Sequence, residues 1–177
     1  MARIWLGHGA SGSAASMAPW VDGLRALGLE AAPVSLPRGR AERALAPYAA
    51  QVPDEPGMVI GGHSFGGRVA TLLAAGGEGV PERVHPFAGV VALSFPVHPP
   101  GRPERAKERI AHLSRIGVPM LLLSGGADPF ARADLLREAA ALLTRGELVV
   151  YPGLGHTLAA VRGDALARIA AFVRALG

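Results

Sequence analysis

Six short apolar runs punctuate the chain: RIWLG (3–7), EAAPVSL (30–36), GMVIGG (57–62), GVVALSF (89–95), PMLLLSG (119–125) and ELVVYPG (147–153). Several are apolar at almost every position, as strands buried on both faces must be. The segments between them follow helical spacing. Trp20, Leu24 and Leu27 stand at i, i+4 and i+7, and Gly28 reads as the C-terminal stop. ADLLREAAALLTRG (133–146) ends in the same way, at Gly146. The last segment puts Leu166, Ile169, Phe172, Val173 and Leu176 on one face, with Asp164 as its expected N-cap. Strand and helix alternating throughout predict an α/β domain spanning 1–177, with about six mostly parallel strands and helices on both faces. Right-handed crossovers bring every strand's C-terminal end to one edge, where such folds bind ligands. Functional side chains are therefore expected just after the strands.

After the third run stands Gly62-His63-Ser64-Phe65-Gly66, a G-x-S-x-G pattern between strand and helix. A sharp turn there crowds the residues two before and two after the serine, so both must be small. The turn lifts the Ser64 hydroxyl clear of the sheet and puts the Phe65 N–H at a helix N-terminus, where an oxyanion is stabilised. A serine nucleophile needs a base and an orienting acid. His156 follows the sixth run in GLGHTL, and Asp128 follows the fifth in GGADPF. Asp134 is the rival acid, but it falls within or at the cap of the next helix. The second oxyanion N–H is expected from the glycine-rich loop after the first strand, at Ala10, with Ser11 next in line. His63, Ser11 and His98 are candidates to touch substrate. His8 is read as shaping its loop, and His85 and His112 as surface or helix positions.

The chain order Ser, Asp, His is that of α/β-hydrolases. The stretches GHGA (7–10), GGHSFGGRVA (61–70), FPVHPPGRPE (95–104), LLLSGGADPF (121–130) and GLGHTL (153–158) resemble the dienelactone-hydrolase-like branch of that superfamily. They are most similar to the group that includes the third subunit of the non-specific lethal chromatin complex and its testis-expressed and bacterial relatives. The resemblance covers nearly the whole chain and implies a Ser64, Asp128, His156 triad. The sequence departs from the full superfamily plan in two ways: the two N-terminal strands are missing, and the connection from Ser94 to Ile116 is too short for a lid domain, so a minimal fold with an open site is expected.

Composition narrows the chemistry. There is no cysteine, which excludes disulfides and thiol catalysis. No histidine pair has zinc-site spacing, so no metal is expected. The glycine loops lack the lysine of a phosphate loop and the spacing of a dinucleotide fold, so no cofactor is expected. The net charge of +4 rests on 17 arginines and Lys107, scattered among acids, and aromatics are only 5%. That argues against nucleic acid as a partner. No apolar run reaches the roughly 18 residues of a membrane span, and MARIWLGHGA lacks a signal peptide's apolar stretch, so a cytoplasmic protein is expected. The reading is a serine esterase acting on a small ester, thioester or lactone. The alternative is a non-catalytic binding or scaffold protein that keeps the fold.

Overall fold

The structure, a computed structural model, describes all of residues 1–177. Six strands form one sheet: β1 (Arg3–Gly7), β2 (Glu30–Val34), β3 (Met58–His63), β4 (Gly89–Leu93), β5 (Met120–Gly125) and β6 (Gly146–Tyr151). Their order is β2-β1-β3-β4-β5-β6, and every pairing is parallel. Pro33, which cannot donate to a ladder, lies in β2, at an edge.

The continuous apolar runs are explained by alternation between two covered faces. Met58, Ile60, Val90, Ala92, Met120 and Leu122 enter one core, and Val59, Val91, Leu93, Leu121 and Leu123 enter the other. Helices α2 (Leu45–Ala49), α3 (Phe65–Ala75) and α5 (Ala133–Ala141) cover the first face. So does the segment of short turns around α4 (Ala106–Ile110). Helices α1 (Ala18–Ala26) and α6 (Arg162–Arg174) cover the second. Each fully buried Leu or Ile contributes about 1.5–3 kcal/mol. No helix is long and apolar enough to cross a membrane.

The chain steps from β1 outward to β2, then returns to β3 on the other side of β1. The loops after β1 and β3 therefore diverge and leave a crevice between them. Tyr48 of α2 locks this junction from below. Its buried hydroxyl accepts the Gly61 N–H at 3.0 Å and lies 2.8 Å from the Trp5 carbonyl and 2.6 Å from that of Gly61.

Two helix boundaries differ from expectation. Helix α5 stops at Ala141, and Gly146 opens β6, where a Cβ would meet the Leu143 side chain at 2.7 Å. The glycine marks a break, but one made by packing rather than by a helix cap. The N-cap of α6 is Val161, not Asp164, which sits inside the first turn. There its carboxylate accepts the Tyr151 hydroxyl and Arg168 Nε, both at 2.7 Å, an acid well placed against the helix dipole.

Candidate active site

Ser64 connects β3 to α3 with φ 50° and ψ −110°, a conformation that L-residues rarely adopt and that costs on the order of 1–3 kcal/mol. Its N–H donates to the Leu93 carbonyl at 2.8 Å, and its carbonyl accepts the Arg68 N–H at 3.0 Å. The flanking glycines are needed because β1 runs against the turn. A Cβ on Gly62 would lie 2.4 Å from the Gly7 carbonyl oxygen, and one on Gly66 only 2.2 Å from the same atom. The crowding thus involves a third glycine, Gly7, which pairs in register with Gly62.

Strain alone does not mark the residue. Ser94, at the end of β4, has φ 52° and donates its N–H to Leu123 in the same way, but it is wholly buried. Ser64 is half-buried and lines an open cleft of about 480 Å³.

His156 lines the same cleft. Its Nδ1 lies 2.8 Å from Asp128 Oδ2, and Asp128 Oδ1 accepts the Phe130 N–H at 2.8 Å. The Asp128 side chain is completely shielded from solvent. With Nδ1–H given to the carboxylate, Nε2 carries the lone pair. The Phe130 ring packs on the imidazole with centroids 4.4 Å apart. The Ser64 hydroxyl makes no hydrogen bond in this structure. Asp134, the rival acid, is exposed and paired with Arg132 at 2.5 Å.

Ala10 and Ser11 both line the cleft, and the Ala10 N–H has no acceptor. The Phe65 N–H belongs to the first turn of α3, where no intrahelical acceptor exists. The structure therefore brings together Ser64, which caps α3, His156 and the Ala10 loop around one space, with Asp128 behind. No group of three His, Asp or Glu side chains is arranged to hold a metal.

Residues 37–170, about three quarters of the chain, match the family described as an alpha/beta hydrolase domain. The chain belongs to the alpha/beta hydrolase family. Solved structures share the fold. The monoacylglycerol lipase of Paleococcus ferrophilus superposes with a TM-score of 0.81 at 15% identity, over 99% of this chain and 95% of that one. Est1E from Butyrivibrio proteoclasticus, solved with ferulic acid, gives 0.75 at 14% identity, over 99% and 89%. The thioesterase domain from the curacin biosynthetic pathway gives 0.71 at 16%, over 98% and 90%.

In this member of the family, His8, His63 and His98 tie neighbouring loops together. His8 accepts the Leu36 N–H at Nε2, 3.0 Å away, and so donates Nδ1–H to the Gly9 carbonyl at 2.7 Å. That links the loop after β1 to the loop after β2. His63 lines the cleft and donates Nε2–H to the His156 carbonyl at 3.0 Å. Burial holds its pKa below the usual histidine range, so it is neutral at pH 7. His98 is a correction. It is 3% exposed and lines no part of the cleft. Its Nε2 accepts the Arg132 N–H at 3.2 Å and its own N–H donates to the Phe130 carbonyl at 3.1 Å. It supports the Asp128 loop rather than facing substrate. His112 is helical as expected but buried, bonded to Thr71 Oγ1 at 2.9 Å.

Sequence reasoning also missed Gly125. A Cβ there would lie 2.2 Å from the carbonyl oxygens of Leu154 and Gly155. Its absence lets the Asp128 loop close on the His156 loop, through Gly126 N–H to Tyr151 at 2.8 Å and Ala127 N–H to Leu154 at 2.8 Å. The doubled glycine of SGGADPF was the available signal. Trp20 and Arg162 line the far wall of the cleft, and no pattern in the sequence pointed to them.

Proposed function

We propose that this hydrolase is a serine esterase that cleaves a small ester, thioester or lactone through an acyl-enzyme on Ser64. The strained turn at Ser64, facing one cleft with a His156 imidazole oriented by buried Asp128, carries this reading. His156 Nε2 takes the Ser64 proton as Oγ bonds to the substrate carbonyl carbon. The carbonyl oxygen becomes an oxyanion beside the Phe65 and Ala10 N–H groups. Collapse breaks the bond to the leaving group, which receives the proton from His156. Water then adds to the acyl carbon, giving a proton to Nε2; collapse breaks the bond from that carbon to Ser64 Oγ, which takes the proton back from His156 as the acid leaves. Asp128 keeps the imidazole in the tautomer that leaves Nε2 free and stabilises the imidazolium.

Substrate size follows from the walls. No residue of the β4–β5 connection lines the cleft. The site is open, which favours small or accessible acyl groups over long chains. The stretches HPPG and DPF favour the dienelactone-hydrolase-like branch, and His98 now supplies a physical reason for their joint presence: it bonds one to the other. A small molecule rather than nucleic acid is the partner, and the cytoplasm is the setting that a cysteine-free chain suits.

A fluorophosphonate probe tests the reading. The expected result is covalent labelling of the wild type and none of Ser64→Ala. Equal labelling of both would overturn it.

A further inference from the structure

A second, larger cleft of about 590 Å³ lies beside the nucleophile turn, within the size range of small-molecule sites. Six of its nine lining residues are charged. Arg68 stands one turn down α3 from Ser64, and the Phe65 side of that turn forms part of the lining. Arg40 and Glu42 come from the connection between β2 and α2, and Arg105, Glu108 and Arg109 from the segment around α4.

The charges do not cancel. Four guanidinium groups face two carboxylates, leaving a local charge of +2. Glu108 is paired with Arg105 at 3.3 Å, while Glu42 reaches Arg68 only at 4.0 Å. Arg40 and Arg109 have no carboxylate partner within 4.0 Å. Arg68 is largely shielded, and its Nη1 donates to the Arg109 carbonyl at 3.1 Å. Burial, and next the charge of Arg109, push its pKa down to about 10, so it stays cationic at neutral pH while crowded by like charge. Arg109 is held low too, by burial and then by Arg105. Like charges gathered in a concave, partly dry site are unfavourable unless an anion joins them.

We propose that this cleft is a binding site for a phosphate group. A phosphate monoester carries about −1.5 to −2 at pH 7, which matches the surplus charge, and its three oxygens can accept forked bonds from several guanidinium groups. A single carboxylate would satisfy half of that charge. The phosphate is carried either by the ester acted on at Ser64 or by a separate small effector. The binding claim does not depend on the esterase reading.

The test is calorimetric titration of the full chain with inorganic phosphate, at constant ionic strength maintained with chloride. Wild type and Ser64→Ala are expected to bind alike. Arg40→Gln with Arg105→Gln, both at exposed positions, is expected to weaken binding by roughly tenfold or more, from the loss of charge-assisted bonds. Glu42→Gln removes a competing carboxylate and is expected to tighten binding. No binding up to tens of millimolar, or binding indifferent to all three substitutions, would overturn the proposal. A kinetic arm identifies the source. Acetate esters of ω-hydroxyalkyl phosphates of increasing length are compared with their neutral methyl ethers. A preference for the phosphorylated series that disappears in the double variant assigns the phosphate to the substrate. Arginine-dependent binding without that preference assigns it to an effector. Turnover of neither series, with phosphate still bound, counts against the esterase reading and leaves the anion site standing.

Discussion

Replacing Gly66 by alanine adds one methyl group where three backbone segments meet. That methyl carbon would lie 2.2 Å from the Gly7 carbonyl oxygen, 2.3 Å from its carbon and 2.8 Å from its Cα. Ordinary contact begins at about 3.4 Å, so β1 and α3 must separate by roughly 1.2 Å. Neither can move freely. Helix α3 is pinned at its N-cap, Ser64, whose N–H bonds to the Leu93 carbonyl of β4. Strand β1 is paired on both sides, to β2 and to β3. Overpacking against movable side chains costs about 1–3 kcal/mol, and rigid backbone puts this change at about 3 kcal/mol. For a chain of this size that is a fall in Tm of roughly 6–12 °C. The displaced element also carries one of the proposed oxyanion donors, Ala10 beyond β1 or Phe65 on α3. A misplacement of about 1 Å at a reacting centre costs on the order of 10²-fold in rate. Calorimetry and turnover of p-nitrophenyl acetate measure both effects. Gly163→Ala is the control: nothing lies within 4 Å of its added Cβ, and it sits in α6. It is expected to stabilise by up to about 1 kcal/mol. A Gly66→Ala protein that melts and turns over like the wild type would refute the account of the turn.

Three further outcomes are expected. Asp128→Asn cannot hold the productive His156 tautomer and is expected to lower kcat by about 10³–10⁴ with little change in KM; a loss under tenfold would remove Asp128 from that role. Tyr48→Phe leaves the buried Gly61 N–H without its acceptor and is expected to cost about 1–3 kcal/mol, read in urea as a lower midpoint at unchanged slope. His112 makes stability fall in acid. Burial first, then Arg68 and Arg115, bring its pKa from 6.5 down to about 4. Below pH 6.5 the unfolded chain takes a proton there that the folded chain refuses until about pH 4. Stability is therefore lost as pH falls through that window, by up to about 3 kcal/mol at 1.36 kcal/mol per unit. His112→Gln is expected to flatten the curve between pH 7 and 4.5, and parallel curves for the two proteins would count against the assignment.

The parts of the fold that could be read from sequence were those where burial leaves no choice. Strands such as Met120–Gly125 are enclosed on both faces, so their residues are apolar throughout and the run is visible without knowing its neighbours. The parts that escaped depend on what lies opposite. Gly146 has the same signature as a helix stop, yet it is there to clear Leu143. Helix α2 is only five residues long and gains its order from packing Leu45 and Tyr48, not from its own periodicity. Asp164 is an acid near a helix start in either reading, and its place within the turn is decided by Tyr151 and Arg168.

The site shows the same division, with a chemical reason. The proximity of Ser64, Asp128 and His156 was legible because each stands just after a strand and the proposed chemistry asks for one residue type at each place. The groups that position them work through main-chain atoms. The Ala10 N–H leaves no side-chain trace, and the contacts of Gly7, Gly66 and Gly125 appear only as the absence of a Cβ. Histidine serves as the bridge in such a setting because its neutral ring has one donor and one acceptor on opposite sides. His98 uses Nε2 to accept from Arg132, and His63 uses Nε2 to donate to His156. The residue type is therefore ambiguous by nature: the property that makes an imidazole a base also makes it a link between two loops. Position at a strand's C-terminal end cannot separate the two roles, since His63 ends β3 and His98 follows β4, as His156 follows β6. What separates them is the partner of the ring. His156 alone meets a buried carboxylate, and a carboxylate holds Nδ1–H while leaving Nε2 free to take a proton.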